Sequence, residues 1–174
     1  MKDNFKQERV NLAAAFRWAA RLNMHEAVAN HFSLAVSDDG SQFLLNPIGM
    51  HFSQICASDL LLLDSNNAET MSQPNAPDAT AWAIHGAIHR NNLHARCILH
   101  VHSKYATILS CLEDKTMKPI DQNTMRFYEK VSIDYDYDGM GLGDEAERLS
   151  TILGDNPVLL MGNHGVLTAA DSVA

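Results

Sequence analysis

The tripeptide His100-Val101-His102 closes a short apolar run, and the two-residue period of a strand puts both imidazoles on one face, where they can grip one metal ion. The run over residues 95–101, ARCILHV, is aliphatic enough for a buried strand, and a buried histidine needs partners for its ring nitrogens. Taken alone, the pair reads more simply as core histidines bonded to carbonyls. A third histidine changes the balance: His164, in Asn163-His164-Gly165, follows the apolar run over residues 158–161. Two strands ending at one sheet edge would bring the three imidazoles together.

The elements that must position them follow from periodicity. Residues 5–22 carry Leu12, Ala15, Phe16, Trp18 and Ala19 among basic residues, a helix with one apolar stripe. Strands over 31–36 and 42–45 flank Asp38-Asp39-Gly40, a hairpin signal. A strand over 60–63 follows the Asn46-Pro47-Ile48-Gly49 turn, and Pro77-Asp78 opens a helix to about residue 90. Beyond the 95–101 strand come a helix over 103–112, a strand over 131–133, a helix over 143–152 and a strand over 158–161. Helices and strands alternate, and a hairpin requires antiparallel pairing, so an α/β layered domain with a mixed or antiparallel sheet is expected. Asp134 to Gly139 reads as a solvated acidic loop. Asp171-Ser172-Val173-Ala174 has the signature of a helix N-terminus, from which a missing C-terminal helix is expected.

With 174 residues and 46% hydrophobic content, residues 1–174 are expected to form a single domain. A net charge of -8 without a basic run argues against nucleic acid or an anionic membrane as partner. Cys56, Cys97 and Cys111 are widely spaced and odd in number, so they read as reduced thiols of a cytoplasmic protein. No signal peptide and no membrane span is visible.

In order along the chain, Asn30-His31-Phe32-Ser33, Asn46-Pro47-Ile48-Gly49, the helix bearing His85 and His89, Ile98-Leu99-His100-Val101-His102 and Asn163-His164-Gly165 resemble the class II aldolase/adducin family. The resemblance covers nearly the whole chain. It implies a three-layer α/β/α sandwich around a mixed, largely antiparallel sheet and a homo-oligomer, usually a tetramer. It also implies a divalent metal on His100, His102 and His164, zinc first, with manganese or iron as alternatives. Asn30 and Gly49 fall where the family contacts substrate. Family aldolases for phosphorylated sugars carry Ser-Ser-Glu ending four residues before the helix histidine, the Glu acting as acid/base, whereas this chain has Ala79-Thr80-Ala81. Ala81 cannot move a proton, and only Thr80 retains a hydroxyl for substrate. Adducin heads also lose that Glu.

If chemistry survives, another group must replace the acid. His85 lies one helical turn after Ala81 on nearly the same face and His89 one turn further, so His85 is the first candidate base. Asn123 and Tyr128 are the other candidate catalytic residues, and Gln122 a substrate contact, with a turn-forming or interfacial role about as natural for them. His31 borders the cleft or is structural; His25, His51 and His94 carry no assignment. The reading is a metal-dependent lyase that cleaves or decarboxylates a small, unphosphorylated oxo- or hydroxy-acid. Its alternative is an adducin-like, non-catalytic assembly module that keeps the fold, with or without the metal.

Overall fold

α1 (Lys6–Arg21) buries Leu12, Phe16 and Ala19, spaced four and three apart, and carries Glu8 in its first turn and Arg21 in its last, each suited to the helix dipole. The computed structural model describes residues 4–136 and 141–174, so part of the acidic segment lies outside the described residues. β1 (His31–Ala35) and β2 (Gln42–Leu45) form the expected hairpin, with Leu34 opposite Leu44. In its loop Gly40 has φ 71, and a Cβ there would lie 2.0 Å from the His89 carbonyl oxygen, so only glycine fits. β3 (Leu61–Asp64) pairs with β2, and a 3-10 turn spans Ala68–Ser72.

α2 (Ala79–Asn91) starts where Asp78 caps it, its carboxylate accepting from the Ala81 N–H at 2.9 Å. Then come β4 (Cys97–Val101) and α3 (Lys104–Ser110), and α4 (Gln122–Met125), a single capped turn where a loop was expected. β5 (Val131–Asp134), α5 (Asp144–Leu153) and β6 (Val158–Met161) fall close to their predicted ranges. β7 (Gly165–Ala170) was not anticipated, although Val166 to Ala170 alternates between the two faces. The tail at 171–174 is not helical.

The strands form one seven-stranded sheet, ordered β3-β2-β1-β4-β7-β6-β5, in which only β5 and β6 run parallel. One face packs Phe32, Leu34, Leu44 and Cys97 against α1 and the loop bearing Phe52 and Ile55. The other packs Ile98, Leu159, Leu167 and Ala169 against α2 and α5. This is the three-layer sandwich around a mixed, largely antiparallel sheet. His31 is directly opposite His100, and Val101 opposite Val166, so the end of β4 meets the start of β7 at one sheet edge.

Candidate metal centre

His100 and His102 project from the end of β4, and His164 from the turn between β6 and β7. His164 follows β6 in the sequence, but the neighbour of β4 is β7, and His164 arrives because it directly precedes β7. The ring centroids lie 4.9 Å apart for His100 and His102, 4.8 Å for His100 and His164, and 4.6 Å for His102 and His164. One nitrogen from each ring lies within 4.8 Å of the others.

Surrounding groups set which nitrogens point inward. His100 Nδ1 lies 3.1 Å from the Val166 carbonyl, which can only accept, so Nδ1 carries the proton. His102 Nδ1 lies 2.6 Å from Glu26 Oε2, a carboxylate that likewise selects Nδ1–H. Both Nε2 atoms then present lone pairs to each other at 3.0 Å. Two acceptors face to face need something electropositive between them. Protonation of His100 is disfavoured: burial pushes it well below its ordinary value, with positive charge on His31 and His164 adding to it. Burial also takes His164 to about 4, with His102 adding and Glu26 opposing. A divalent cation fits instead, since two imidazoles on a tetrahedral zinc at ~2.0–2.1 Å sit about 3.3 Å apart. Carboxylate and carbonyl partners on the outer nitrogens are the orienting shell of an imidazole metal site. Glu26, on the loop before β1, was missed because nothing in its spacing marks it.

Next to the metal face lies a recess of about 40 Å³ lined by Asn30, His31, Asn46, Ile48, Asp78 and Ala81 among others. Asn30, 2% exposed, accepts through Oδ1 from the Glu26 N–H at 2.6 Å and the His102 N–H at 3.4 Å, bracing the orienting carboxylate and one imidazole together. Its Nδ2 is buried with no hydrogen-bond partner among the described residues. Burial pushes the Asp78 carboxyl up, but bonds from the Thr80 hydroxyl and the Ala81 N–H, with His31 nearby, outweigh it and hold the group below its ordinary value. The recess therefore carries an anion of its own. A groove of about 500 Å³ on the α1 face, walled by Trp18, Phe32, Leu99 and Val166, is far larger but apolar and offers no metal ligand.

Several predicted site residues fall elsewhere. His85 is fully buried, and both ring nitrogens are taken: Nε2 lies 2.7 Å from His31 Nδ1, and Nδ1 bonds Ser33 Oγ. His31 stands between it and His100, its ring centroid 4.8 Å from each. His85 thus has no nitrogen to offer a substrate, because α2 packs flat on β1 and turns that helix face into the core. His89 is equally buried, its Nε2 2.7 Å from Ser33 Oγ and its Nδ1 2.7 Å from the Ala95 carbonyl. Thr80 donates its hydroxyl to Asp78 at 2.5 Å and is not on the recess wall. Gly49, with φ 75, is exposed at its turn and likewise off that wall.

Gln122, Asn123 and Tyr128 are exposed. Tyr128 lies three residues before β5, which runs parallel to β6, so it falls toward the end of the sheet opposite the β6–β7 turn that bears His164. A four-residue strand spans roughly 13 Å, and β5 is two strands from β7 at about 4.8 Å each, so Tyr128 cannot meet the metal face of its own chain. Asn123 donates its backbone N–H to the Asp121 cap at 2.7 Å, a turn-forming role.

A family profile described as Class II Aldolase and Adducin N-terminal domain matches residues 10–174. A Pseudomonas aeruginosa protein named for the class 2 aldolases is 31% identical over 97% of this chain and 64% of its own length. The decarboxylase NovR of Streptomyces niveus is 27% identical over 98% of this chain and 65% of its own. Alpha-adducin of Rattus norvegicus is 27% identical over 95% of this chain and 23% of its own. The crystal structure of an aldolase II superfamily protein from Pseudomonas syringae superposes with a TM-score of 0.87 at 31% identity, covering 99% of this chain and 70% of that one. The chain thus spans slightly under two thirds of the length of the Pseudomonas aeruginosa and Streptomyces niveus relatives.

Proposed function

The chain belongs to the class II aldolase and adducin N-terminal domain family, and from that premise we propose that it is a metal-dependent carbon–carbon lyase acting on a small, unphosphorylated oxo- or hydroxy-acid. The observation that carries this reading is the pair of Nε2 lone pairs at 3.0 Å, preset by Val166 and Glu26, beside His164. Three imidazoles would hold a divalent ion, zinc by donor type, and leave positions open, as catalytic sites do and closed structural sites do not. The ion would supply Lewis acidity toward the oxygen of a bound carbonyl or hydroxyl.

The residues around it perform the rest. Asn30 Nδ2, buried without a partner, would donate to a carboxylate or carbonyl oxygen of the substrate. Ala81 in place of an acid and Ile48 in place of a hydroxyl residue would leave a phosphate without donors, and Asp78 on the recess wall would oppose its two charges more strongly than the single charge of a carboxylate. Apolar Tyr105, Ile108 and Leu112, exposed along α3 and its end, support a homo-oligomer, proposed as a tetramer in the cytoplasm. No helix among the described residues is long and apolar enough to cross a membrane.

A second reading, an adducin-like assembly module, is favoured by one observation: Ala81 and the fully engaged His85 leave α2 with no acid or base facing the substrate. Zinc analysis of the purified protein and of His102→Ala, with anomalous scattering to count protein ligands, separates them. The lyase reading expects one zinc with three imidazole ligands, lost in His102→Ala. A fourth protein ligand, or full zinc content in the variant, would refute it.

A further inference from the structure

We infer that a chain of hydrogen bonds through the core fixes the tautomer of His31, leaving its Nε2 as an acceptor for the hydroxyl of a hydroxy-acid held in the recess. This rests on the lyase reading above.

The chain has one consistent direction. It begins at the Ala95 carbonyl, which can only accept, so His89 Nδ1 at 2.7 Å must carry a proton. Burial pushes His89 down to about 4, the Ala95 bond opposing and Arg96 adding, so the ring is neutral near pH 7 and its Nε2 is a bare acceptor. Ser33 Oγ, 2.7 Å away, must donate its one proton there. Having spent it, Ser33 can only accept from His85, so His85 Nδ1 carries the proton. His85, held well below its ordinary value by burial and then by His31 and His89, is neutral, and its Nε2 accepts from His31 Nδ1 at 2.7 Å. A second proton on His31 Nε2 would find no acceptor among the described residues, so the ring carries only the one that Nδ1 donates to His85. Its proton is therefore on Nδ1, and Nε2 is a lone pair.

That lone pair is on the open side. Nδ1 points into the core, and the nitrogens of one imidazole face away from each other. Nε2 makes no hydrogen bond among the described residues, and His31 lines the recess together with Ala81, its ring against that of His100. Asn30 lines the same recess, and its buried Nδ2 is a donor without a partner among the described residues. A donor beside an acceptor matches a 2-hydroxy carboxylate: the amide takes a carboxylate oxygen and the imidazole takes the hydroxyl proton. A 2-oxo acid has no proton for His31. The recess that Ala81 lines without an acid is thus also lined by an imidazole whose state is set by His89, a residue that does not line it.

The test uses a remote substitution. In His89→Phe, Ser33 loses its acceptor and is free to donate to His85 Nδ1, which moves the His85 proton to Nε2 and the His31 proton to its own Nε2. Long-range proton–nitrogen correlation spectra of histidine-labelled protein, free of zinc, should show an unprotonated His31 Nε2 in the wild type and a protonated one in His89→Phe. Ser33→Ala, a smaller change, should leave His31 a mixture of both tautomers. In the zinc-loaded protein, calorimetry should find lactate bound about tenfold more tightly than pyruvate, the scale of one hydrogen bond, with the preference lost in His89→Phe. A protonated His31 Nε2 in the wild type, or a tautomer indifferent to both substitutions, overturns the inference. So does equal affinity of the wild type for the two acids, or a His31 Nε2 signal that moves on zinc loading as those of a ligand do. Failure to take up zinc would overturn the lyase reading separately, because the tautomers are read without metal.

Discussion

Acid should unfold the zinc-free protein by charging imidazoles that the fold keeps neutral, and His89 allows the size of the effect to be worked out. It is 1% exposed, and burial takes it from 6.5 to about 4. Its folded value lies below its unfolded one, so the stability it contributes is fully present above pH 6.5 and is lost as the pH falls toward 4. A shift of that size has a limit of roughly 3.4 kcal/mol, at about 1.36 kcal/mol per pH unit, and the loss already reached at pH 5 is about 2 kcal/mol. His31, also held at about 4, adds a similar amount in the same window. A loss of roughly 4 kcal/mol between pH 7.5 and 5 is a large part of the stability of an ordinary domain. Urea unfolding of chelator-treated protein at the two pH values measures it. In His89→Phe the Ala95 carbonyl is orphaned, costing ~1–3 kcal/mol at pH 7.5, but the acid-induced loss should shrink by about 2 kcal/mol. The variant should therefore approach the wild type in stability as the pH falls. An identical pH dependence in the two proteins would refute the claim that His89 is a neutral buried imidazole.

Glu26→Gln should weaken zinc binding by about 10- to 100-fold, because an amide holds the His102 proton less firmly than a carboxylate; unchanged affinity by competitive titration would contradict the orienting role. Sugar phosphates of the fuculose or rhamnulose type should be cleaved with kcat below about 1 s⁻¹, and faster turnover in a coupled assay would show that Asp78 does not exclude phosphate. Gly40→Ala should cost at least about 2 kcal/mol in urea unfolding, since a Cβ at φ 71 would strike the His89 carbonyl; a smaller loss would mean the hairpin can move off α2.

What could be read without a structure was local. The two-residue period of ILHVH sets His100 and His102 on one strand face, Asp78 marks the start of α2, and the hairpin signal around Gly40 sets β1 against β2. The ordered motifs that resembled the family carried the sandwich and the His100, His102, His164 grouping together. β7 went unseen because Val166-Leu167-Thr168-Ala169-Ala170 is only weakly apolar on its inner face, and becomes a strand by pairing with β4 and β6 on either side. Helical spacing placed His85 on the face of Ala81, but not what that face meets. A residue one turn further along a helix packed flat on a sheet goes deeper into the core, so His85 binds His31 and Ser33 instead of substrate. Glu26, Asn30 and His31 act through partners up to 76 positions away. Spacing determines which side chains share a face of one element; which faces then meet is decided by the register between strands and the packing of layers, and that is why the tertiary structure alone puts a carboxylate behind His102 and a core relay behind His31.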